Sequence, residues 1–185
     1  LAKSRAMLSV TFRAVAAPMA AVAALRNCEI SLLDLRAPQV SSTLRAPHPV
    51  SAVFIPHTGA EIMAGADSSG CIRFWDTRTW KQLEDMTTAV PGSGAGLPIS
   101  SIAVDDPSAS GAQLVACNSF DDKLHVFSLL ADSVAARASA DCSPSSSPAS
   151  PLLHRAALKG HRRMGWRINC SLFRARSGGD PPSGV

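Results

Sequence analysis

Short apolar runs of strand type, broken by Gly, Pro, Asp and Ser, pattern the chain from residue 26 to residue 130. The first are CEISLLDLR (28–36), VSAVFIP (50–56), AEIMAGA (60–66) and CIRFWDTR (71–78). Between the last three stand His57-Thr58-Gly59 and Asp67-Ser68-Ser69-Gly70. Both segments suit tight turns, because Gly accepts a positive φ and Asp or Ser caps its own backbone. Three strands joined this closely predict an antiparallel meander over 50–78. The pattern then returns as PISSIAV (98–104), AQLVACNS (112–119) and KLHVFSLL (123–130).

The recurrence has a measurable step. Trp75 falls 42 residues after Leu33, and Phe127 falls 52 after Trp75, the second interval being lengthened by the loops at 89–98 and 105–112. A period near 40–45 residues carried by short strands predicts stacked small sheets of propeller type, with an ordinary antiparallel sandwich as the alternative. Outside this region the pattern fades. Residues 1–25 are basic and Ala-rich, with Pro18 inside the most apolar run, and read as a strand or loop of a longer or misassembled chain in preference to an organellar presequence. Residues 131–157 form a Ser/Ala/Pro-rich linker, with 131–151 given no regular structure. Residues 158–185 open a further unit at Gly160-His161 and end in turn residues.

Charge sharpens this division. The formal net charge is +4, but residues 29–136 hold twelve acidic and six basic side chains, and the basic excess lies in the flanks. The predicted folded centre is therefore acidic, which weighs against a nucleic-acid-binding fold and leaves RNA contact to the flanks. Tyr is absent and aromatics are 5%, so stacking platforms for single strands are not expected. No apolar run reaches the roughly 20 residues of a membrane span. The cysteines at 28, 71, 117, 142 and 170 include no close pair of the kind that clasps zinc, and read as reduced, buried or incidental thiols of an intracellular protein.

The run GCIRFWDTR (70–78), together with LKGH (158–161), resembles the WD-repeat family of β-propellers. The resemblance implies an all-β fold, a partial propeller of four-stranded antiparallel blades belonging to a longer ring. It also implies a structural set in each blade: the His of a Gly-His pair, a Ser or Thr, a turn Asp and a third-strand Trp. Trp75 and Asp76 match the Trp-Asp pair. Ser69 falls where the turn Asp is expected, with Asp67 two residues early. Asp121 is correctly placed, Phe127-Ser128 and Leu33-Asp34 replace Trp-Asp, and Gly160-His161 is the one proper Gly-His pair.

Catalytic patterns are not found. The five histidines are scattered, Asp105-Asp106 and Asp121-Asp122 read as solvated turns, and GSGAG (92–96) lacks the Lys-Ser/Thr of a phosphate cradle. The expectation is a non-enzymatic scaffold without cofactor, metal, membrane or small-molecule substrate, working in a multiprotein complex. LVACNSFDDKLHVFSLL (114–130) followed by LKGHRRMGWRINCSLF (158–173) is similar to the pre-mRNA-processing factor 17 family of spliceosomal WD-repeat proteins. That similarity implies a nuclear role in splicing. The alternative rests on Trp-Asp-x-Arg. Arg78, and Arg36 in LDLR, resemble the docking arginine of substrate receptors for cullin-four ubiquitin ligases.

Overall fold

The computed structural model describes residues 9–13, 19–23, 28–34, 36, 40–56, 61–92, 96–105, 113–130, 150–162 and 168–172. Among these residues there are twelve strands and no helix. Sheet I contains β1 (Ser9–Arg13), β2 (Met19–Ala23), β3 (Glu29–Asp34) and β4 (Val40–Arg45). Sheet II contains β5 (Val50–Phe54), β6 (Ile62–Asp67), β7 (Cys71–Asp76) and β8 (Gln82–Ala89). Sheet III contains β9 (Ile99–Val104), β10 (Gln113–Ser119), β11 (Lys123–Leu129) and β12 (Leu152–Lys159). Each sheet is an antiparallel meander in which strands adjacent in sequence are adjacent in space.

Packing between sheets begins at their first strands. β5 touches β1 and β2 on one side and β9 on the other, and β6 also reaches β9. The alternation of side chains then gives sheet II two dry faces. Phe54, Ile62, Ala64, Ile72, Phe74 and Met86 pack with Val115, Cys117, Phe127 and Leu129 of sheet III. Val53, Met63 and Trp75 pack with Ile30, Leu32 and Leu44 of sheet I. Every residue of β6 is buried for this reason, and its run of small side chains, Ala64-Gly65-Ala66, lets both neighbours approach. Gly65 is required by that approach: a Cβ there would lie 3.1 Å from both the Trp75 ring and Val50 Cγ1.

Equivalent positions repeat from sheet to sheet. Leu33, Trp75 and Phe127 each occupy the fifth position of a third strand. Trp75 packs against sheet I and Phe127 against sheet II, so each of these two rings is buried on the preceding sheet. The second turns match as well. Gly70 and Asp122, again 52 positions apart, both have positive φ (78° and 60°). Ser68 N–H donates to Pro49 O (2.9 Å) and Phe120 N–H donates to Pro98 O (3.0 Å), tying each turn to the proline before its sheet's first strand.

The meanders are larger than the sequence pattern suggests. Each acquires a fourth strand: β4 in the Pro-interrupted stretch after residue 36, β8 after the Trp-Asp turn, and β12 inside the segment read as linker. β8 and β12 are sheet edges with exposed charged positions, burying only alternate or terminal residues, so their hydrophobic signal is weak. β1 and β2 lie within residues 1–25, the segment read as a strand or loop. The unpatterned linker residues 131–149 lie outside the described residues.

The two-faced packing of sheet II makes Gly65→Val a direct test. The added side chain must displace Trp75 or Val50, and overpacking of this kind costs about 1–3 kcal/mol. Urea unfolding is expected to show a lower midpoint with an unchanged m-value.

Candidate functional site

The residues singled out by the repeat pattern fall into three polar clusters at turns and sheet edges. The first surrounds Asp67, which ends β6 with a fully buried carboxylate. Its Oδ1 accepts from Ser69 N–H (2.8 Å), Ser69 Oγ–H (2.6 Å) and Cys71 N–H (3.1 Å). Its Oδ2 accepts from Arg73 Nε at 2.6 Å. The turn carboxylate is thus Asp67, two residues before the position at which Ser69 stands, and Ser69 serves it as a donor. Buried and paired, this carboxylate closes the β6–β7 turn while neutralising Arg73 in the interior.

Sheet III solves the same problem from a different position. Ser119 stands where Asp67 would be, so the carboxylate comes from Asp121 in the turn itself. Asp121 Oδ1 accepts from Lys123 N–H (3.2 Å), and Oδ2 accepts from Lys123 Nζ (3.1 Å) and His125 Nε2 (3.0 Å). Arg73 and His125 each lie two residues before the buried aromatic, so both sheets pair an acidic turn with that position. The Asp121 side chain is 6% exposed. It is not a solvated turn residue, and Asp105, buried and accepting Leu114 N–H at 2.6 Å, is not one either.

His125 also reaches His154 on β12, Nδ1 to Nε2 at 3.3 Å. With Nε2–H given to Asp121, a neutral His125 accepts at Nδ1 from His154. The imidazole of His154 stands edge-on to Phe127, ring centres 5.1 Å apart. In sequence these histidines read as scattered, because 29 positions separate them and β12 lies in the segment read as linker. The signal that could have found His125 is its alignment with Arg73.

The third cluster is the Trp-Asp turn. Trp75 is 1% exposed in the core between sheets I and II. Asp76 Oδ1 accepts from Arg78 N–H (2.7 Å) and Thr79 N–H (3.2 Å), and Oδ2 accepts from Arg78 Nη2 (3.2 Å). These bonds shape the β7–β8 hairpin, in which Trp80 N–H closes on Asp76 O and Trp80 itself takes φ 57°. Arg78 is half-exposed and folds back onto its own turn. Arg36 is exposed beyond the end of β3.

Gly160 and His161 follow β12. A Cβ on Gly160 would meet nothing, whereas His161 Nε2 is buried without a partner among the described residues.

Electrostatically these clusters hold charge in place. Burial pushes the Asp76 carboxyl up, but hydrogen bonds from the Arg78 side chain and from the N–H groups of Arg78 and Thr79 outweigh it and hold the pKa below the usual value. Burial likewise opposes, and His125 and Lys123 together overcome it, to lower the pKa of Asp121. Burial raises the thiol pKa of Cys117 far above its ordinary value, with Cys170 and Asp121 adding to the rise. Burial also raises that of Cys170, against a hydrogen bond from Ser101. Cys28, Cys71, Cys117 and Cys170 are free thiols, and Cys142 lies outside the described residues. Among the described residues no group of three or more His, Cys, Asp or Glu is placed to hold a metal ion, and no helix is long and apolar enough to cross a membrane.

The chemistry available from this arrangement is that of fixed, ionised acceptors satisfying buried turns and cations. Comparison with known proteins finds no matching family model and no matching curated protein.

Two outcomes follow from the lowered carboxylates. Their contribution to stability is fully present above the unfolded-state value, 3.8, and is lost as pH falls through the lower folded value. Unfolding free energy is therefore expected to drop below about pH 4, with the drop reduced in Asp121→Ala. At neutral pH that variant strands the buried His125 and is expected to cost about 1–3 kcal/mol by denaturant unfolding.

Proposed function

We propose that the three meanders are successive blades of a WD-repeat β-propeller and that the protein is a non-catalytic scaffold for protein–protein assembly, acting in pre-mRNA splicing. The observation that carries the fold reading is the repeated geometry. Four sequential antiparallel strands recur three times, first strands adjoin, and Trp75 and Phe127 each face the sheet before their own. Small sheets that leave neither face able to stand in water are suited to this stacking. A scaffold role agrees with polar residues committed to holding turns. The splicing assignment rests on the similarity of 114–130 and 158–173 to spliceosomal WD-repeat proteins, and any RNA contact would come from the basic flanks.

The second reading, a substrate receptor for a cullin-four ligase, depends on Arg78 reaching an adaptor. It is favoured by the half-exposed guanidinium, and opposed by its bond to Asp76, which gives Arg78 a local role. Affinity capture of the tagged protein from nuclear extract separates the two. The splicing reading predicts recovery of spliceosomal components, with Arg78→Ala unchanged. The ligase reading predicts recovery of a ligase adaptor that Arg78→Ala loses. Recovery of neither group contradicts both.

A further inference from the structure

Four ionisable side chains form a continuous chain across the open edge of sheet III. Lys123 Nζ donates to Asp121 Oδ2 (3.1 Å), the same oxygen accepts from His125 Nε2 (3.0 Å), and His125 Nδ1 meets His154 Nε2 across the boundary between β11 and β12 (3.3 Å). The two rings meet end to end, with centres 5.5 Å apart, so each aims one nitrogen at the other. The side chains of His125 and Asp121 are 1% and 6% exposed, whereas His154 is half-buried on the edge strand.

β12 has few other anchors. Full burial is confined to Leu152, with His154 and Ala156 partly covered. Its pairing with β11 slips between Val126 and Phe127, which leaves Arg155 as a bulge beside His154. The ring of His154 also covers the edge of Phe127, so one side chain makes both the polar and the aromatic contact with β11.

One hydrogen fits between two facing imidazole nitrogens, and a second does not. In the neutral pair His154 Nε2–H donates to His125 Nδ1. A first added proton keeps the contact: His125 becomes a cation that donates from Nδ1 to His154 and from Nε2 to Asp121. A second added proton, on His154, sets N–H against N–H and cation against cation.

The surrounding groups favour this order. Asp121 stabilises a charge on His125, and Lys123 beside it opposes that charge. Cys117, opposite His125 on β10, is a thiol that burial keeps neutral. On β12, Lys159 stands opposite Lys123, and Arg155 follows His154 and donates to Ser128 Oγ (3.1 Å), so the strand that takes the second proton already carries positive charge. Sheet II presents Ile72, Phe74 and Met86 to this side of sheet III, and none of them titrates.

We infer that the His125–His154 contact is an acid-operated clasp, which holds the edge strand β12 against β11 at neutral pH and releases it when both rings are protonated. The interior ring is fixed between two strands, so the ring that moves is His154, and β12 moves with it. The second proton binds the open strand and not the closed one, so closure is favoured at neutral pH and lost as pH falls. The release is local, and it precedes the acid loss of the turn carboxylates. It does not depend on the scaffold or propeller readings.

The test is residue-resolved amide hydrogen exchange of the full-length protein at about pH 7.5 and about pH 5, which bracket the range in which imidazoles gain a proton, with rates corrected for the intrinsic effect of pH. Asp121 stays ionised at both, because its pKa lies below 3.8. Protection of Leu153–Lys159 is expected to fall at least ~10-fold at the lower pH while that of β10 is unchanged. His154→Gln keeps a donor for His125 Nδ1 but takes no proton, and is expected to hold β12 equally at both pH values. Equal protection of wild-type β12 at both, the same loss in His154→Gln, or a loss shared by β10 overturns the inference. Should His154→Gln fail to fold, the wild-type imidazole resonances decide: two coupled, separated titration steps agree with the clasp, and two independent ones contradict it.

Discussion

A four-stranded meander has two faces and too little of anything else to cover them. This constraint governs the arrangement of sheet II, whose residues divide between a core shared with sheet I and a core shared with sheet III. β6 shows its strength: a strand buried at all six positions can be stable only between two partners. The small residues of that strand, and the closeness of Gly65 to the Trp75 ring, are consequences of the same packing. The three sheets therefore form one cooperative stack in which the middle member contributes to both cores.

Burial on this scale forces the polar groups to be organised. The turn after the second strand must bring its backbone donors back from solvent, and an internal carboxylate does so in both sheets. Asp67 and Asp121 occupy different positions in the repeat, yet each meets the side chain two residues before the buried aromatic, Arg73 in one case and His125 in the other. The pairing of charge with cation or imidazole is thus a property of the place in the sheet, and the residue that supplies the carboxylate is free to vary. Asp76 performs the corresponding task for the next hairpin, so the Trp-Asp pair joins a core anchor to a turn former.

Much of this was legible from residue spacing. The runs at 50–56, 71–78, 98–104 and 123–130 stand out because each supplies buried apolar residues to a core, and the alignment of Leu33, Trp75 and Phe127 matches their shared place in the third strands. Edge strands were harder to read. β8 carries Glu84 and Asp85 on exposed positions, and β12 buries little beyond its first residues, so neither needs a strong apolar pattern. Contacts made across sheets were not legible at all. Nothing in local spacing indicates that Ser51 reaches Ile99, that Ser100 reaches Ile168, or that His125 meets His154, since each depends on how separate elements dock. The roles at the β6–β7 turn were not legible for a related reason: Asp67 accepts from Ser69, Cys71 and Arg73 at once, and only the three-dimensional arrangement distinguishes the acceptor from its donors.

The central claim is that sheet II is held by neighbours on both faces. Residue-resolved amide hydrogen exchange tests it most directly, because protection follows the free energy of opening each strand. The account predicts the slowest exchange in β6 and β7, with β8 and β12 opening first. Exchange in β6 as fast as in those edge strands would contradict it.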